Sequence, residues 1–552
     1  MENNVPSRVQ LVFDTNILLD ALLARGPYFQ YGVELLEQVR DGFVEGWVAP
    51  HCLTTVYYIL ERHLARETRN RKESNRLARA LLSEIMGFLK PLPQTGTEIM
   101  SLDPDTGDDL EDQLIVELSQ RYLENPLIIT RDKWFLKTNM SAAHPKEVID
   151  QNLHRDVPDP HDIPFIDLAA QQRLLQPALS DKIQTVLRHG KYIMGPEVAE
   201  LQRRLAEYVG VNHCISCSSG TDALLMALMA KDIGPGDAVL TTPFTFFATA
   251  EVIALLGATP IFVDIDPQTF NMDPDALERV VGALKGNHSE AGPLPRVGGA
   301  DRLVPKGIVA VDLFGQPCDY DRINAIAEKN NLFVIEDAAQ SMGAQYKGRR
   351  ANALAEIGCT SFFPAKPLGG YGDGGAVFTD DDRLAEALIS IRVHGQGTDK
   401  YENRRIGLNG RLDTLQAAVL LTKLEIFPEE IHLRQAAADH YARLLSDHSA
   451  SLTPPFLPDD MKSVWAQYSV LTKDAQCRER VQKGLKASGI PTAIYYPKPL
   501  HLQTAFSALR YQAGDFPVSE DVGSRIFSLP MHPYLTESVQ QRIVDVMGRE
   551  IH

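Results

Sequence analysis

The chain is short of the features that mark membrane, secreted and nucleic-acid-coating proteins. None of its apolar runs approaches the ~18 residues of a membrane-crossing helix, so no such helix is expected. Its N-terminus lacks a basic segment followed by a long apolar one, so no secretory signal is expected either. The six cysteines are scattered and show no disulfide framework, which suits a reducing, cytoplasmic setting. Basic residues are outnumbered 55 to 72. The resulting net charge of −17 argues against general affinity for nucleic acid, though not against a local basic patch. What the chain does have is length, 552 residues, and 44% apolar content; together these imply more than one domain and sizeable cores.

Three stretches carry chemistry. Ser361 to Gly375 reads SFFPAKPLGGYGDGG, with Lys366 between an aromatic pair and a glycine-rich turn. Burial disfavours an ammonium, so a partly buried lysine becomes a usable nucleophile that can form a Schiff base with an aldehyde. The glycines permit positive φ and close approach to a bulky ligand. Taken alone, such a stretch is more often a solvated turn. Phe333 to Gln340, FVIEDAAQ, reads as a buried parallel strand with Asp337 at its carboxyl edge, where open α/β sheets bind ligands. Cys214 to Leu225, CISCSSGTDALL, reads as a strand, the turn Ser218-Ser219-Gly220-Thr221 and a helix start. Backbone N–H groups and hydroxyls at such a turn cradle phosphate. A phosphate cradle, a carboxylate at a strand end and a lysine in a glycine loop are three of the parts needed to hold pyridoxal phosphate. Cys214 and Cys217 could be read as a metal pair, but no second pair exists and both feed the phosphate turn. Val239 to Ala258 adds an aromatic turn with Phe244, Phe246 and Phe247, any of which could face a flat ring or simply fill the core.

Gly220-Thr221-Asp222-Ala223, Glu336-Asp337-Ala338-Ala339-Gln340, Ser361-Phe362-x-x-x-Lys366 and Gly372-Asp373-Gly374-Gly375 resemble the DegT-type sugar aminotransferases, from about Ile163 to the C-terminus. The resemblance implies a homodimeric pyridoxal phosphate enzyme that aminates nucleotide-linked keto sugars. Lys366 would carry the cofactor, Asp337 would pair with its pyridine nitrogen, and Gln340 would bond its 3-oxygen. Phe246 aligns with the ring-stacking aromatic. Ser219, Gly220, Thr221 and Ser361 would hold the phosphate, joined by Asn409 from the neighbouring subunit. Arg411 would meet an anionic substrate group, a reading favoured over its merely solvating the start of a long helix. Ile490 to Gln503, IPTAIYYPKPLHLQ, resembles the substrate side of members acting on UDP-3-keto-N-acetylglucosaminuronic acid, and brings His501 there as a binding or packing residue. Glutamate is the expected amino donor, and a C4-keto sugar is the rival substrate.

Residues 1 to 150 read as a separate small α/β domain, opening with the strand VQLVF and then Asp14-Thr15-Asn16. Asp14 and Asp132 lie at strand ends and Asp112 at a helix start, so the three could converge on one sheet edge. Such a set suits Mg²⁺ or Mn²⁺, able to activate water for phosphodiester cleavage. Asp14 and Asp132 could equally do no more than cap strand ends. FDTNILLDALL, LEDQL and ITRDKWF resemble PIN domains, the fold of many toxin-type ribonucleases, over about residues 8 to 140. That family often carries an acid where Thr55 stands here, and Glu61 would face elsewhere, so the implied metal set is incomplete. Arg62 to Arg79 reads as a basic helical stretch that could steer RNA or merely meet water.

Residues 151 to 162, polar and proline-bearing, read as a linker. Residues 163 to 424 then form the large cofactor domain and 425 to 552 the small one. The expected fold class is α/β: a PIN-like domain, then a fold type I aminotransferase with a large, mostly parallel sheet and a smaller C-terminal α+β domain. Two functions of different class are implied. One is amination of a sugar nucleotide for surface polysaccharide precursors. The other is an RNA-acting regulator whose aminotransferase-like part serves as a dimerisation or sensing module.

Overall fold

The computed structural model describes residues 10–24, 29–40, 45–68, 70–92, 114–115, 118–119, 123, 127–130, 142–143, 163–286, 292–297, 303–399 and 401–551. The chain divides into two compact units, Met1–Pro160 and His161–His552. Among the described residues no helix is long and apolar enough to cross a membrane.

The first unit is built on a five-stranded sheet. Its strands are β1 (Gln10–Phe13), β2 (Glu45–Val48), β3 (Lys90–Pro91), β4 (Leu127–Ile129) and β5 (Ala142–Ala143), in the order β3-β2-β1-β4-β5 and parallel throughout. Parallel strands need cover on both faces, and central β1 is accordingly apolar, with Leu11, Val12 and Phe13 fully buried. Asp14 ends β1 and caps the helix Thr15–Leu23, accepting from the Asn16 N–H at 3.4 Å. The single basic stretch expected over Arg62–Arg79 is two helices, Pro50–Thr68 and Arg71–Ile85. Asn70 breaks it: its side chain accepts from the N–H groups of Lys72 (3.1 Å) and Glu73 (3.4 Å), starting the second helix afresh.

The second unit carries a seven-stranded sheet. Its strands are β6 (His213–Cys217), β7 (Asp237–Thr241), β8 (Thr259–Phe262), β9 (Val304–Val311) and β10 (Phe333–Asp337). After the short pair β11 (Gln345–Tyr346) and β12 (Arg349–Arg350) come β13 (Ile357–Ser361) and β14 (Gly375–Thr379). The order is β6-β14-β13-β10-β9-β7-β8. Every pairing is parallel except the two made by β14, which runs against both β13 and β6. Side chains alternate across the sheet. Leu240, Ile308, Ala310 and Val334 enter one core, and Val239, Val309, Ile335 and Val377 enter another on the opposite face.

Three short strands, β15 (Leu452–Thr453), β17 (Tyr468–Thr472) and β18 (Ile526–Leu529), form an antiparallel sheet in the order β15-β17-β18, while β16 (Met461–Lys462) pairs with β11. Tyr441, Tyr468, Leu485, Phe527 and Ile543 pack between this sheet and the helices Thr414–Leu445, Ala475–Ala487 and Glu537–Glu550. The helix Thr414–Leu445 runs past residue 424, the boundary expected from the sequence between a large and a small domain.

Candidate active site

Two adjacent segments of the large sheet meet at its carboxyl edge to form a small, glycine-lined cup. β6 ends at Cys217 and the chain turns at once into the helix Gly220–Ala230. Ser219 caps that helix, its hydroxyl accepting from the Asp222 N–H at 3.0 Å, and Ser218 bonds the Asp222 carboxylate. Register brings in the rest: Gly375 of β14 lies opposite Cys217 on one side and Ser361 of β13 on the other. The approach is so close that a Cβ on Gly220 would stand 2.6 Å from the Ser361 Cβ. One on Gly375 would stand 2.4 Å from the Ser219 carbonyl oxygen. Only glycine fits at either position. Thr221 lies in the first helical turn, where unbonded backbone N–H groups and the helix dipole favour an anion.

Asp337 ends the neighbouring strand β10, at the same carboxyl edge. It is 5% exposed and held by the Thr249 hydroxyl (2.8 Å) and the Ala339 N–H (3.3 Å). Burial pushes its carboxyl above the ordinary range; the Thr249 bond, the Ala339 bond and the charge of Lys366 pull it back. Lys366 lies in the loop between β13 and β14, which is pinned by Lys366 N–H to Phe363 O (2.8 Å), Gly370 N–H to Phe362 O (2.7 Å) and Phe362 N–H to Gly374 O (2.7 Å). Desolvation pushes its amine below the ordinary lysine value, and the charge of Asp337 opposes that shift. Amine and carboxylate each feel the other's charge, which places them near one another at this edge of the sheet. An amine lowered in this way is the kind of nucleophile that aldehyde chemistry requires.

Around this pair stand Gln340, Phe246 and Tyr496. Gln340 accepts from the Phe314 N–H (2.8 Å) and donates to the Tyr496 hydroxyl (3.3 Å), which leaves one amide hydrogen for another partner. Of the three phenylalanines in the turn, Phe244 is fully buried against the edge of Tyr496, and Phe247 packs on Phe506 at 5.2 Å. Phe246 is 57% exposed and rests on Tyr496 with ring centroids 6.4 Å apart.

Asn409 and Arg411 flank Gly410, whose carbonyl accepts from the Ser218 N–H at 3.1 Å at the start of the glycine-lined turn. They sit together in a surface segment, with the Arg411 guanidinium donating to the Asn409 side-chain oxygen at 2.9 Å. His501 stands apart. It is 2% exposed, bonded to Glu520 at 3.0 Å, and packed on Phe516 with centroids 4.6 Å apart. Burial lowers its affinity for a proton.

In the first unit Asp14 is 3% exposed and takes the Thr130 hydroxyl at 3.0 Å. Asp112 and Asp132 lie outside the described residues. Among the described residues no group of three or more His, Cys, Asp or Glu side chains is placed to hold a metal ion.

Sequence reasoning missed Thr249 and Tyr496. Thr249 had a usable signal: it lies four residues after Thr245, with which it shares a 3.1 Å hydrogen bond, one helical turn beyond the aromatic turn. Tyr496 lies in Ile490–Gln503, the stretch likened to a substrate-side segment, but within it only His501 is singled out by sequence.

A mostly parallel sheet whose carboxyl edge seats a desolvated amine, a buried acid and a glycine-lined cup defines the aminotransferase class of fold type I. Comparison with known proteins gives the family. The DegT/DnrJ/EryC1/StrS aminotransferase family profile matches residues 175–548, and the chain belongs to that family. A PIN domain matches residues 10–175. Over 373 residues the chain is 51% identical to the UDP-2-acetamido-2-deoxy-3-oxo-D-glucuronate aminotransferase of Pseudomonas aeruginosa, covering 68% of this chain and 96% of that protein. A DegT DnrJ EryC1 StrS aminotransferase from Brucella abortus superposes with a TM-score of 0.66 at 48% identity, covering 70% of this chain and 99% of the other. NtdA from Bacillus subtilis, solved with bound cofactor PMP, gives a TM-score of 0.62 at 26% identity over 77% of this chain and 93% of the other.

Proposed function

We propose that the chain transfers an amino group from glutamate to the C3 ketone of a UDP-linked N-acetylglucosaminuronic acid derivative, as a step toward surface polysaccharide precursors. The observation that carries the reading is the placement of buried Asp337 at the end of β10, beside β13, whose following loop carries Lys366, the two groups feeling each other's charge. The substrate is suggested by the activity for which the Pseudomonas aeruginosa relative is named.

The residues fit pyridoxal phosphate. The turn at Ser219, Gly220, Thr221 and Ser361 would take its phosphate, with Gly220 set so close to Ser361 that a Cβ there would stand 2.6 Å from the Ser361 Cβ. Asp337 would keep a proton at the pyridine nitrogen, and the spare amide hydrogen of Gln340 would reach the ring oxygen. Phe246, exposed on one side, would cover a ring face. Bound there, the cofactor supplies an electron sink for the carbanion at the donor's α carbon. The Lys366 amine would take the proton from that carbon in the first half-reaction and deliver a proton to the sugar carbon that receives the amino group in the second. Asn409 is exposed and Arg411 half-buried beside it, which suits a homodimer in which they complete the neighbour's site. Arg411 would meet a substrate carboxylate with its planar fork.

For the PIN domain we propose metal-assisted RNA cleavage centred on Asp14 with Asp112 and Asp132. It is supported by the exposed basic side chains Arg62, Arg66, Lys72, Arg76 and Arg79. Unchanged RNA cleavage by Asp14→Asn would remove that part.

Incubating the full chain with UDP-3-keto and UDP-4-keto sugars plus glutamate, and weighing the products by mass spectrometry, tests the main reading. An aminated 3-keto product is expected. Amination of the 4-keto sugar alone would replace the substrate, and no amination of either would overturn the function.

A further inference from the structure

Behind the cofactor face lies a second pair of acids. β9 and β10 pair Ala310 with Glu336 and Val311 with Asp337. Because side chains alternate, Glu336 points to the opposite face of the sheet from Asp337. Asp312, two residues beyond Ala310, returns to Glu336's side. Both side chains are fully buried. They also meet each other, and among the described residues neither has an ion-pair partner.

Their surroundings are donors. Asp312 accepts from the Cys318 N–H (3.0 Å), the Tyr320 hydroxyl (2.8 Å) and the Ser341 hydroxyl (2.8 Å). Glu336 accepts from the N–H groups of Asn352 (2.6 Å) and Leu354 (2.9 Å). Two carboxylates in contact in a dry site cannot both remain ionised. Cys318 and Tyr320, the titratable groups that touch Asp312, are themselves pushed toward their protonated forms by burial, so neither relieves the pair with a positive charge.

The pair reaches the site by short links. The Asp312 N–H donates to the Asp337 carbonyl at 3.1 Å. Glu336 is the residue before Asp337, and Ser341 is the residue after Gln340. We propose that Asp312 and Glu336 share one proton and act as a clamp that positions the strand end and loop presenting Asp337 and Gln340. The value of that clamp for catalysis rests on the function proposed above; its proton and its grip do not.

The test uses the full chain without cofactor. Infrared spectra at pH 8 should show a protonated carboxyl band that disappears in Asp312→Asn and in Glu336→Gln and persists in Asp337→Asn. Hydrogen exchange of the amides of residues 333–341 should accelerate about tenfold or more in Asp312→Ala, the effect of losing roughly one well-made buried hydrogen bond. It should stay within about twofold of wild type in Asp312→Asn, whose amide keeps both a donor and acceptors. A band absent at pH 8, or surviving both amide variants, overturns the shared proton. Unchanged exchange in Asp312→Ala overturns the clamp; if that variant does not fold, Ser341→Ala takes its place with the same expectation. Failure of the wild-type chain to bind pyridoxal phosphate would sink the aminotransferase reading while leaving both measurements decisive for the pair.

Discussion

Asp14 ends β1 in one unit and Asp337 ends β10 in the other, and the two are held almost alike. Each takes a threonine hydroxyl on Oδ2, from Thr130 at 3.0 Å and from Thr249 at 2.8 Å. Each takes on Oδ1 the backbone N–H two residues ahead, from Asn16 at 3.4 Å and from Ala339 at 3.3 Å. The local geometry therefore does not assign the chemistry. The difference lies in the next stretch of chain and in the group standing opposite. Asp14 runs directly into a helix that it caps, whereas Asp337 faces the charge of Lys366. A carboxylate at a parallel strand end is a generic product of α/β sheets; an amine near enough for each to feel the other's charge is what aldehyde chemistry would need beside it.

The sharpest way to break this comparison is to remove the amine. Lys366→Ala should lower aminated product, measured by mass spectrometry, by at least about 10⁴-fold, because it deletes both nucleophile and proton carrier. Asp14→Asn should leave that rate unchanged. Asp337→Asn should cost about 10²–10³-fold in the same assay, since an amide does not hold the proton at the ring nitrogen as a carboxylate does; equal losses from Asp14→Asn and Asp337→Asn would erase the distinction. At the phosphate end, Gly220→Ala forces a methyl to 2.6 Å from the Ser361 Cβ. Pyridoxal phosphate titration should show about 10–100-fold weaker binding, the range that overpacking costs.

Lys423 sharpens the contrast from the amine side. It is 1% exposed, its Nζ has no hydrogen-bond partner, and it lies 4.3 Å from the Tyr371 ring centroid. Desolvation lowers its pKa from 10.5 to about 8. The unfolded chain therefore binds more protons than the folded one between those values, so folding is opposed fully below pH 8 and the opposition fades as pH rises toward 10.5. Lys423→Met should stabilise the second unit by about 1–3 kcal/mol at pH 7, with the gain shrinking above pH 8, in denaturant titrations at several pH values. The smallest effect is expected at Asp14→Ala, which should destabilise the first unit by about 1 kcal/mol through loss of the helix cap, read in its own unfolding transition.

The parts legible in the sequence were those with local signatures. The apolar run before Asp337 and the Ser219–Gly220–Thr221 turn each announce their element, because strand burial and helix capping depend on neighbours in sequence; the glycines around Lys366 announce a tight loop, but none of them takes the positive φ expected, and it is close approach, such as the 2.4 Å a Cβ on Gly369 would make to the Pro364 carbonyl, that requires them. Asn70 was legible in principle as a cap, yet the density of arginines around it suggested one continuous helix. Register was not legible. Nothing in the sequence places Gly375 between Cys217 and Ser361, and nothing brings Tyr496 to Gln340, because those contacts depend on which strands become neighbours. The opposite fates of Phe244 and Phe246, one fully buried and one 57% exposed, are likewise set by which way the turn is rotated on the sheet.

β14 is the one strand of the large sheet that runs against its neighbours, and it sits between β6 and β13. The cup therefore closes only after the start and the end of the large sheet's sequence have found each other, across the slowest kind of pairing a chain makes. Loading with cofactor reports completion of that long-range search, so a lesion far from the cup that delays insertion of β14 would be read at the bench as a defect in vitamin B6 uptake by the newly made enzyme.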